Sequence, residues 1–163
     1  MIGFKRLVGY HVAMPEPPDV VIGAPSTGEE WIAYYELRWR VLRKPWAQPR
    51  GSERDSLDDN AWHLCAKCPD GRIIATGRLH LNSPAEAQIR YMAVEPSIQG
   101  CGVGGRLLEA LEARARSLGC QIVTLNSRDS ARHFYEKQGY LVESTAATLF
   151  GSIGHIKMSK EIQ

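Results

Sequence analysis

A glycine-rich stretch at residues 99–106, QGCGVGGR, contains the residue types that point most directly to chemistry. Glycines at a junction between a strand and a helix let the backbone approach a ligand closely. The amphipathic helix that follows would direct its free N–H groups, and the positive end of its dipole, at the same place. We therefore expect this loop to bind a phosphate or a pyrophosphate group.

Three other interpretations compete for this loop. Gly100, Gly102 and Gly105 satisfy the G-x-G-x-x-G spacing, but in dinucleotide-binding domains that motif follows the first strand of a parallel βαβ unit. Here Pro96 separates the loop from an expected meander. The gap from Gly100 to Gly105 also fits nucleotide triphosphatases, but Arg and Leu replace the Lys and Ser/Thr that their motif requires. The alternative without function is a glycine turn that only packs a helix on a sheet.

The elements that must position the loop follow from hydrophobic spacing and turn residues. The predicted helices cover residues 28–42, 103–118 and 129–138, and the predicted strands cover residues 20–22, 61–67, 73–81, 87–94, 122–125, 140–142 and 155–159. The connections between the strands of residues 61–94 are too short for parallel crossovers, so we expect an antiparallel meander there. Together these elements predict one mixed α/β domain.

The first predicted helix has both a start signal and a regular apolar pattern. Ser26 and Thr27 each have a Glu three residues later, which is the spacing of a capping box. Large apolar residues then recur at helical spacing until Pro45, namely Trp31, Ile32, Tyr35, Trp39 and Leu42. The polar stretch 44–60 that follows predicts a loop.

Length and composition limit the class of protein. The chain has 163 residues, 44% of them hydrophobic and 23% charged, as in a soluble globular domain. A net charge of +2 gives no argument for nucleic acid or an anionic membrane as a partner. No apolar run approaches the ~18 residues of a membrane span, and no signal peptide is expected. Four irregularly spaced cysteines form no disulfide framework and favour a cytoplasmic location.

The N-terminal end is predicted to be separate from the domain. Proline-rich residues 15–18, PEPP, interrupt any helix or central strand. We therefore expect residues 1–18 to be an extension and residues 19–163 to be the domain. Residues 4–12 are a candidate edge strand, and residues 20–22 are expected to form a short buried strand.

The cysteines have spacings that suggest chemistry but are interpreted as structural. Cys65 and Cys68 have metal-ligand spacing, with His63 nearby, but no second pair matches, and residues three apart on a strand point to opposite faces. We therefore expect no metal. Cys101 lies in the glycine-rich loop, where N–H groups would favour a thiolate nucleophile. Its simpler interpretation is a small loop residue.

Two motifs resemble those of the GCN5-related N-acetyltransferase (GNAT) family. Gln99, Gly102 and Gly104 match its Q/R-x-x-G-x-G/A signature, and residues 131–140, ARHFYEKQGY, match its A-x-x-x-Y-x-x-x-G-[FY] segment. The motifs stand in the family's order, and the resemblance covers most of the chain. The family often has Asn three residues before that Ala, where this chain has Arg128. This departure affects a side-chain contact near the pantetheine, not the fold.

A closer resemblance lies upstream of the loop. Its positions are Tyr34, Tyr35, Arg38, Trp39, the run Leu42-Arg43-Lys44-Pro45 and the run Gly51-Ser52-Glu53-Arg54-Asp55. They are similar to a bacterial subgroup whose acetyltransferase domain sometimes precedes a hotdog-fold, thioesterase-like domain. The family resemblance implies an α+β fold with a mixed, mostly antiparallel central sheet of about six to seven strands, flanked by about four helices.

The resemblance also implies a mechanism and a cosubstrate. The family transfers acetyl from acetyl-CoA to an amine, usually by direct attack in a ternary complex, and the acceptor would be a small-molecule or peptide amine. Tyr135 matches the family's general-acid tyrosine, although core packing beside Phe134 is its simpler role. Strand divergence after Met92, Ala93 and Val94 would open an edge for the pantetheine. The predicted cofactor-binding residues are Met92, Ala93, Val94, Gln99, Gly100, Cys101, Gly102, Val103, Gly104, Gly105, Arg106 and Asn126.

The base that deprotonates the amine is not assigned by the residue types alone. The candidates are Glu53, which we prefer, Asp55 and Glu95, followed by His63, His80 and His155. The acidic stretch 53–59 is interpreted either as a mouth for a cationic substrate or as a solvated loop. Trp46, in the same polar loop, is the tryptophan expected to contact substrate.

Two other functions stay open at this point. An acyltransferase acting on an acyl-carrier thioester is suggested by the subgroup, and a basic docking patch would favour it. A non-catalytic CoA-binding regulatory module is the other alternative. A homodimer is compatible with either function.

Overall fold

The structure, a computed structural model, describes residues 16–163. Its centre is a seven-stranded sheet with the strand order β1-β2-β3-β4-β5-β7-β6. The strands are β1 Val21–Gly23, β2 Trp62–Lys67, β3 Ile73–Ser83, β4 Glu86–Val94, β5 Ile122–Arg128, β6 Leu141–Leu149 and β7 Ile153–Glu161. The α-helices are α1 Gly28–Leu42, α2 Val103–Ser117 and α3 Arg132–Lys137, and 3-10 turns lie at Lys44–Trp46, Asp58–Asn60, Pro96–Ile98 and Asp129–Ala131.

The predicted fold class is confirmed. Every pairing in the sheet is antiparallel except that of β4 with β5, so the sheet is mixed and mostly antiparallel. Over the described part of the chain, three α-helices flank it, where the resemblance leads us to expect about four helices.

The N-terminal strand differs from its prediction. It begins one residue later than expected, and it is an edge strand that pairs with β2 alone. Val20 is buried, but Val21 is 69% exposed, so the strand is not buried throughout. The candidate edge strand at residues 4–12 lies outside the described residues. No helix in residues 16–163 is long and apolar enough to cross a membrane.

Helix α1 has the predicted bounds, but the face with the regular apolar pattern is not its buried face. Thr27 caps its start, as expected. Tyr34 and Arg38 are fully buried against the sheet, whereas Ile32 is 74% exposed. The hydroxyl of Tyr34 donates to the carbonyl of Gly77 at 3.0 Å, which orients this face inward. Because an arginine counts as polar in a hydrophobic pattern, apolar spacing alone does not identify this face.

The predicted antiparallel meander of β2, β3 and β4 is confirmed, and it contains a bulge. The register between β3 and β4 shifts at Gly77, opposite which β4 contributes both Tyr91 and Met92. Tyr91 has a φ of +56°, an unusual backbone conformation for a large side chain. A bulge increases the local twist of its strand, so it turns the end of β4 away from its other neighbour.

Strands β4 and β5 diverge in the middle of the sheet. They pair in parallel only at residues 86–89 and 122–125. Beyond that point residues 126–128 of β5 pair with β7, and residues 90–94 of β4 keep only β3 as a neighbour. The divergence therefore begins before the position expected from the sequence, so that Met92, Ala93 and Val94 lie along the open edge.

Helix α2 packs against β2, β3 and β4, and helix α3 packs against β5, and both contribute to the same hydrophobic core. The buried residues of α2 include the expected ones, Val103, Leu107, Leu108, Leu111 and Ala115. Gly119, with a φ of +85°, follows the helix as expected for a C-terminal stop. Helix α3 is shorter than predicted, because residues 129–131 form a 3-10 turn before it.

Candidate functional site

The divergence of β4 and β5 opens a cavity of about 1110 Å³, which we call the cleft. Its walls are the open edge of β4, the end of β5, the glycine-rich loop, α3 and the connection between β6 and β7. The predicted site residues that line it are Met92, Ala93, Val94, Gln99, Gly100, Gly102, Gly104, Gly105, Arg106, Asn126 and Tyr135. Most of the predicted cofactor residues are therefore brought together.

The glycine-rich loop has the geometry of an anion-binding helix N-terminus. Gly102 is the N-cap of α2 with a φ of +85°, and Gly100 has a φ of +83°, conformations that favour glycine. The N–H groups of residues 103–105 have no acceptor among the described residues. Free N–H groups together with the helix dipole attract a phosphate oxygen.

Two of the predicted loop residues do not line the cleft. The side chain of Val103 is buried in the core, so this residue offers only its backbone N–H. The N–H of Cys101 already donates to the carbonyl of Ile98 at 3.2 Å. Gln99 lines the cleft, but its side-chain amide donates to the carbonyl of Val94 at 3.1 Å. Gln99 therefore ties the loop to β4 rather than reaching freely into the cleft.

Tyr135, the predicted general acid, lies in the wall of the cleft. It is 8% exposed and meets Phe134 and Tyr140 edge to face, with ring centroids 4.9 and 5.8 Å away. Its hydroxyl has no hydrogen-bond partner in residues 16–163. Burial raises its pKa, against a smaller lowering effect of Arg128. The hydroxyl is therefore protonated at neutral pH, and no other group of the described chain competes for its proton.

Glu53, the preferred base, lines a different cavity. This second cavity of about 650 Å³ lies beside α1 and includes Trp31 and Tyr35 in its wall. The carboxylate of Glu53 is mostly buried and accepts the N–H of Gly51 at 2.7 Å. The two residues predicted to be catalytic therefore line separate cavities. Trp46, expected to contact substrate, lines neither of them.

The two other acidic candidates are held by arginines. Hydrogen bonds from Arg78 and from a backbone N–H outweigh the burial of Asp55 and lower its pKa to about 2. Glu95 forms a two-pronged ion pair with Arg40, with distances of 2.8 and 2.6 Å, and this contact lowers the pKa of Glu95. Both carboxylates are therefore ionised but occupied, which makes them weak bases toward an amine.

Of the three candidate histidines, one lines the cleft. His63 and His80 are buried, and burial lowers the pKa of both. Nδ1 of His155 lies 3.0 Å from the carbonyl of Ile153, and the ring faces the cleft. Because a carbonyl only accepts, this contact requires a proton on Nδ1.

A cluster of arginines behind the cleft is a feature that the sequence analysis does not predict. The guanidinium carbons of Arg38, Arg78 and Arg90 lie 4.3, 4.9 and 5.0 Å from the ring centroid of Tyr91. Asp58 bonds both Arg38 and Arg78 at 3.0 Å. The antiparallel meander could have indicated this cluster from the sequence. It places Arg78 on β3 directly opposite Arg90 on β4, and two adjacent cations require a carboxylate nearby.

The cysteines have structural environments. Cys65 is fully buried, its thiol donates to the carbonyl of Gly23 at 3.3 Å, and burial raises its pKa to about 11. Among the described residues there is no group of three or more potential metal ligands.

Solved structures of similar shape confirm the architecture. An aminoglycoside 6'-N-acetyltransferase complexed with coenzyme A superposes with a TM-score of 0.74 at 16% identity, over 88% of this chain and 97% of that one. ElaA of Escherichia coli superposes with a TM-score of 0.73 at 18% identity, over 88% of this chain and 100% of that one. At these identities the likeness concerns the fold.

Sequence comparison extends the likeness to a family. The uncharacterized N-acetyltransferase YjcF of Bacillus subtilis (strain 168) is 31% identical over 130 residues, which are 79% of this chain and 90% of the relative. A glucosamine 6-phosphate N-acetyltransferase of Trypanosoma brucei brucei is 35% identical over 78 residues, 44% of this chain and 53% of that protein. The sequence model of the acetyltransferase (GNAT) family matches residues 31–140. The chain therefore belongs to the acetyltransferase (GNAT) family.

Proposed function

We propose that this protein transfers an acetyl group from acetyl-CoA to a primary amine, by direct attack of the amine while both substrates are bound. One observation carries the proposal: the free N–H groups in the first turn of α2, the open edge of β4 and the unbonded hydroxyl of Tyr135 lie at the same cleft. Membership of an acetyltransferase family and the coenzyme A bound by a structural neighbour support it.

In this proposal the glycine-rich loop holds the pyrophosphate of the cosubstrate. The N–H groups of residues 103–105 would donate to its oxygens, and the positive end of the α2 dipole would add to the attraction. Gly104 keeps the approach open, because a Cβ at this position would lie 3.4 Å from Val94 and 3.5 Å from Phe134. A larger side chain at Gly104 would fill the space between loop and strand.

The open edge of β4 would bind the pantetheine and the thioester. Residues 90–94 lack a second strand neighbour, so their outward backbone groups, apart from the carbonyl of Val94 that accepts the amide of Gln99, are available to the pantetheine amides. An N–H of this edge would also donate to the thioester oxygen, which gains negative charge as the amine attacks. Donors fixed in a strand need little reorganisation during the reaction, which is the source of their catalytic effect.

The chemical step requires two proton transfers. The amine nitrogen forms a bond to the carbonyl carbon, the carbon–sulfur bond breaks, and the thiolate takes the proton of Tyr135. The attacking nitrogen must also lose a proton, and we assign this role to His155, which lines the cleft. Glu53, the base preferred from the sequence, lines the neighbouring cavity and not the cleft.

The test is acetyl-CoA turnover with a panel of primary amines, followed by release of the free thiol and by mass spectrometry of the product. Wild-type protein should acetylate at least one amine. Gly104→Val should raise the KM for acetyl-CoA at least ~10-fold, since its side chain would keep the pyrophosphate away from the backbone N–H groups and their charge-assisted hydrogen bonds. Gly28→Val, at an open position on α1, is the matched control and should leave that KM unchanged. Tight CoA binding without turnover of any amine would instead identify a CoA-binding module.

A further inference from the structure

Three arginines that line the cleft lack a carboxylate partner among the described residues. One of them, Arg106, donates to the carbonyl of Val20, and the other two lie together. Arg43 follows α1, and Arg128 ends β5. Both line the cleft, and neither forms a salt bridge within residues 16–163. Arg43 is 8% exposed. A buried guanidinium without a counter-charge is costly, so an unpaired pair in one cavity wall calls for an explanation.

The two guanidinium groups meet at one backbone atom. Nη1 of Arg43 donates to the carbonyl of Leu42 at 3.2 Å, and Nη2 of Arg128 donates to the same carbonyl at 3.3 Å. Arg43 also donates through Nε to the carbonyl of Ser52 at 2.9 Å. A guanidinium carries five N–H donors, so these contacts orient both groups but leave donors free.

The charges around this pair do not neutralise it. Asp58 pairs with Arg38 and Arg78, and Asp55 pairs with Arg78 and Arg90, so these carboxylates are already occupied. Glu109 also lines the cleft, but it forms no salt bridge with either arginine. Burial is the main cause that lowers the pKa of Arg128, and its neighbour Arg43 lowers it further. The positive charges of Arg43 and Arg128 therefore repel each other in the wall of the cleft, and a bound anion would reduce this repulsion.

We propose that Arg43 and Arg128 bind an anionic group, a carboxylate or a phosphate, of the acceptor amine. This rests on the proposed function, since it names the chemical class of that acceptor. The planar guanidinium matches both anions with two parallel hydrogen bonds. The pyrophosphate of the cosubstrate has its own site at the start of α2, so the arginine pair is left for the second substrate. The acidic mouth for a cationic acceptor, predicted from residues 53–59, lies outside this pocket.

The first experiment compares matched acceptors that differ by one charge. The probes are O-phosphoethanolamine against ethanolamine and β-alanine against β-alaninamide, each with saturating acetyl-CoA. Wild-type protein should have a kcat/KM about 10- to 100-fold higher for the anionic member of at least one pair, as expected for hydrogen bonds to a charged group. Arg43→Gln and Arg128→Gln should each reduce that ratio at least ~5-fold. A preference for the neutral members, or a ratio unchanged in both variants, would overturn the proposal.

Two further variants separate the effect of the arginine pair from a general loss of charge. Arg114→Gln removes the same charge from the exposed face of α2, away from both cavities, and should leave the ratio unchanged. Arg128→Lys keeps the charge but loses the fork of donors, so its ratio should lie between those of wild type and Arg128→Gln. It also serves if the glutamine variant does not fold.

The second experiment does not require turnover. Calorimetric titration of inorganic phosphate into protein saturated with coenzyme A should show binding that weakens at least ~10-fold in Arg43→Gln and Arg128→Gln, but not in Arg114→Gln. Equal phosphate affinity in wild type and variants would refute the anion site. Loss of coenzyme A affinity with unchanged phosphate affinity would assign the arginines to the cosubstrate instead. Arginine-dependent phosphate binding without acetylation of any amine would retain the anion site and reject only the proposed function.

Discussion

At the scale of single residues, environment separates groups that share a residue type. Asp55 and Glu53 belong to one acidic stretch, yet Asp55 contacts three cationic or hydroxyl groups and Glu53 contacts a backbone N–H. Tyr34 and Tyr135 are both buried, but within the described residues only the hydroxyl of Tyr34 forms hydrogen bonds. A hydroxyl with no partner in the described chain, facing a cavity, is available for chemistry, and this is the argument for Tyr135.

Replacement of that hydroxyl gives the first prediction. Tyr135→Phe keeps the ring that packs against Phe134 but removes the proton. We expect kcat to fall at least ~10-fold, because loss of a general acid typically costs about 10²- to 10⁴-fold and water can replace part of the effect. The dissociation constant of coenzyme A and the melting temperature should change little.

The matched control for this variant is Tyr35→Phe, which removes a hydroxyl from the neighbouring cavity. Its kcat should equal that of wild type. Normal turnover by Tyr135→Phe would make Tyr135 a packing residue.

The ion pairs of Asp55 predict an acid sensitivity. Its pKa is lowered from 3.8 to about 2, so the folded state favours the ionised form more than the unfolded state does. The stabilisation is therefore complete above about pH 4 and is lost as the pH falls toward 2. Urea unfolding between pH 2 and 6 should show this loss in wild type and a smaller one in Asp55→Asn.

The control for acid unfolding in general is Asp59→Asn, at an exposed neighbouring carboxyl. Its pH profile should follow that of wild type. If Asp55→Asn loses stability over pH 2 to 4 as steeply as wild type, Asp55 is not the responsible group.

At the scale of elements, the bulge on β4 sets the geometry of the cleft. The bulge lies opposite Gly77, where β3 passes beneath α2. A Cβ at Gly77 would lie 2.7 Å from Leu111 and 2.8 Å from Met92, closer than packed atoms tolerate. Glycine is therefore required here by a close approach of the helix and the bulged strand, not by an unusual φ.

The prediction at this scale is that Gly77→Ala destabilises the fold. Leu111 and Met92 must both shift, and overpacking of this kind typically costs about 1–3 kcal/mol. Chemical denaturation should detect the loss, and Gly23→Ala, at an open position on β1, should show a much smaller change. Equal stability of the two variants would mean that the packing around the bulge is looser than the distances imply.

At the level of the whole molecule, the cleft and the cavity beside α1 offer different chemistry. The cleft combines the glycine-rich loop, an open strand edge, the hydroxyl of Tyr135 and basic side chains. The cavity beside α1 combines aromatic rings with Glu53, Asp58 and Asp59. Under the proposed function, a residue that lines the cleft should therefore affect turnover more than a residue that lines only the cavity beside α1.

The prediction at this scale distinguishes the two candidate bases. His155→Gln should lower kcat about 10²-fold, the usual minimum for a positioned general base, because His155 faces the cleft. Glu53→Gln can still accept the N–H of Gly51, so it should fold normally and lower kcat less than ~3-fold. Steady-state kinetics at saturating substrates measure both. If Glu53→Gln lowered kcat more than His155→Gln, the base would instead be Glu53 of the acidic loop.

Much of this architecture is determined by local sequence. The caps and breakers that bound α1 and α2 act within a few residues, and the short turns at Pro69–Gly71 and Pro84 force neighbouring strands to run antiparallel. The glycine-rich loop is likewise local, because Gly100 and Gly102 permit the backbone conformation that directs N–H groups toward an anion. For these reasons the fold class and the bounds of α1, and nearly those of α2, could be predicted.

Only the tertiary structure decides which distant side chains meet. The buried face of α1 depends on two hydrogen bonds between residues far apart in the chain. Tyr34 donates to the carbonyl of Gly77, and Arg38 donates to the carboxylate of Asp58. The separation of Glu53 from Tyr135 and the convergence of Arg43 with Arg128 on one carbonyl have the same origin. Periodicity and motif spacing indicate the structure and the side chains of one segment. The charge of a pocket depends on side chains from several segments, and only folding brings those segments together.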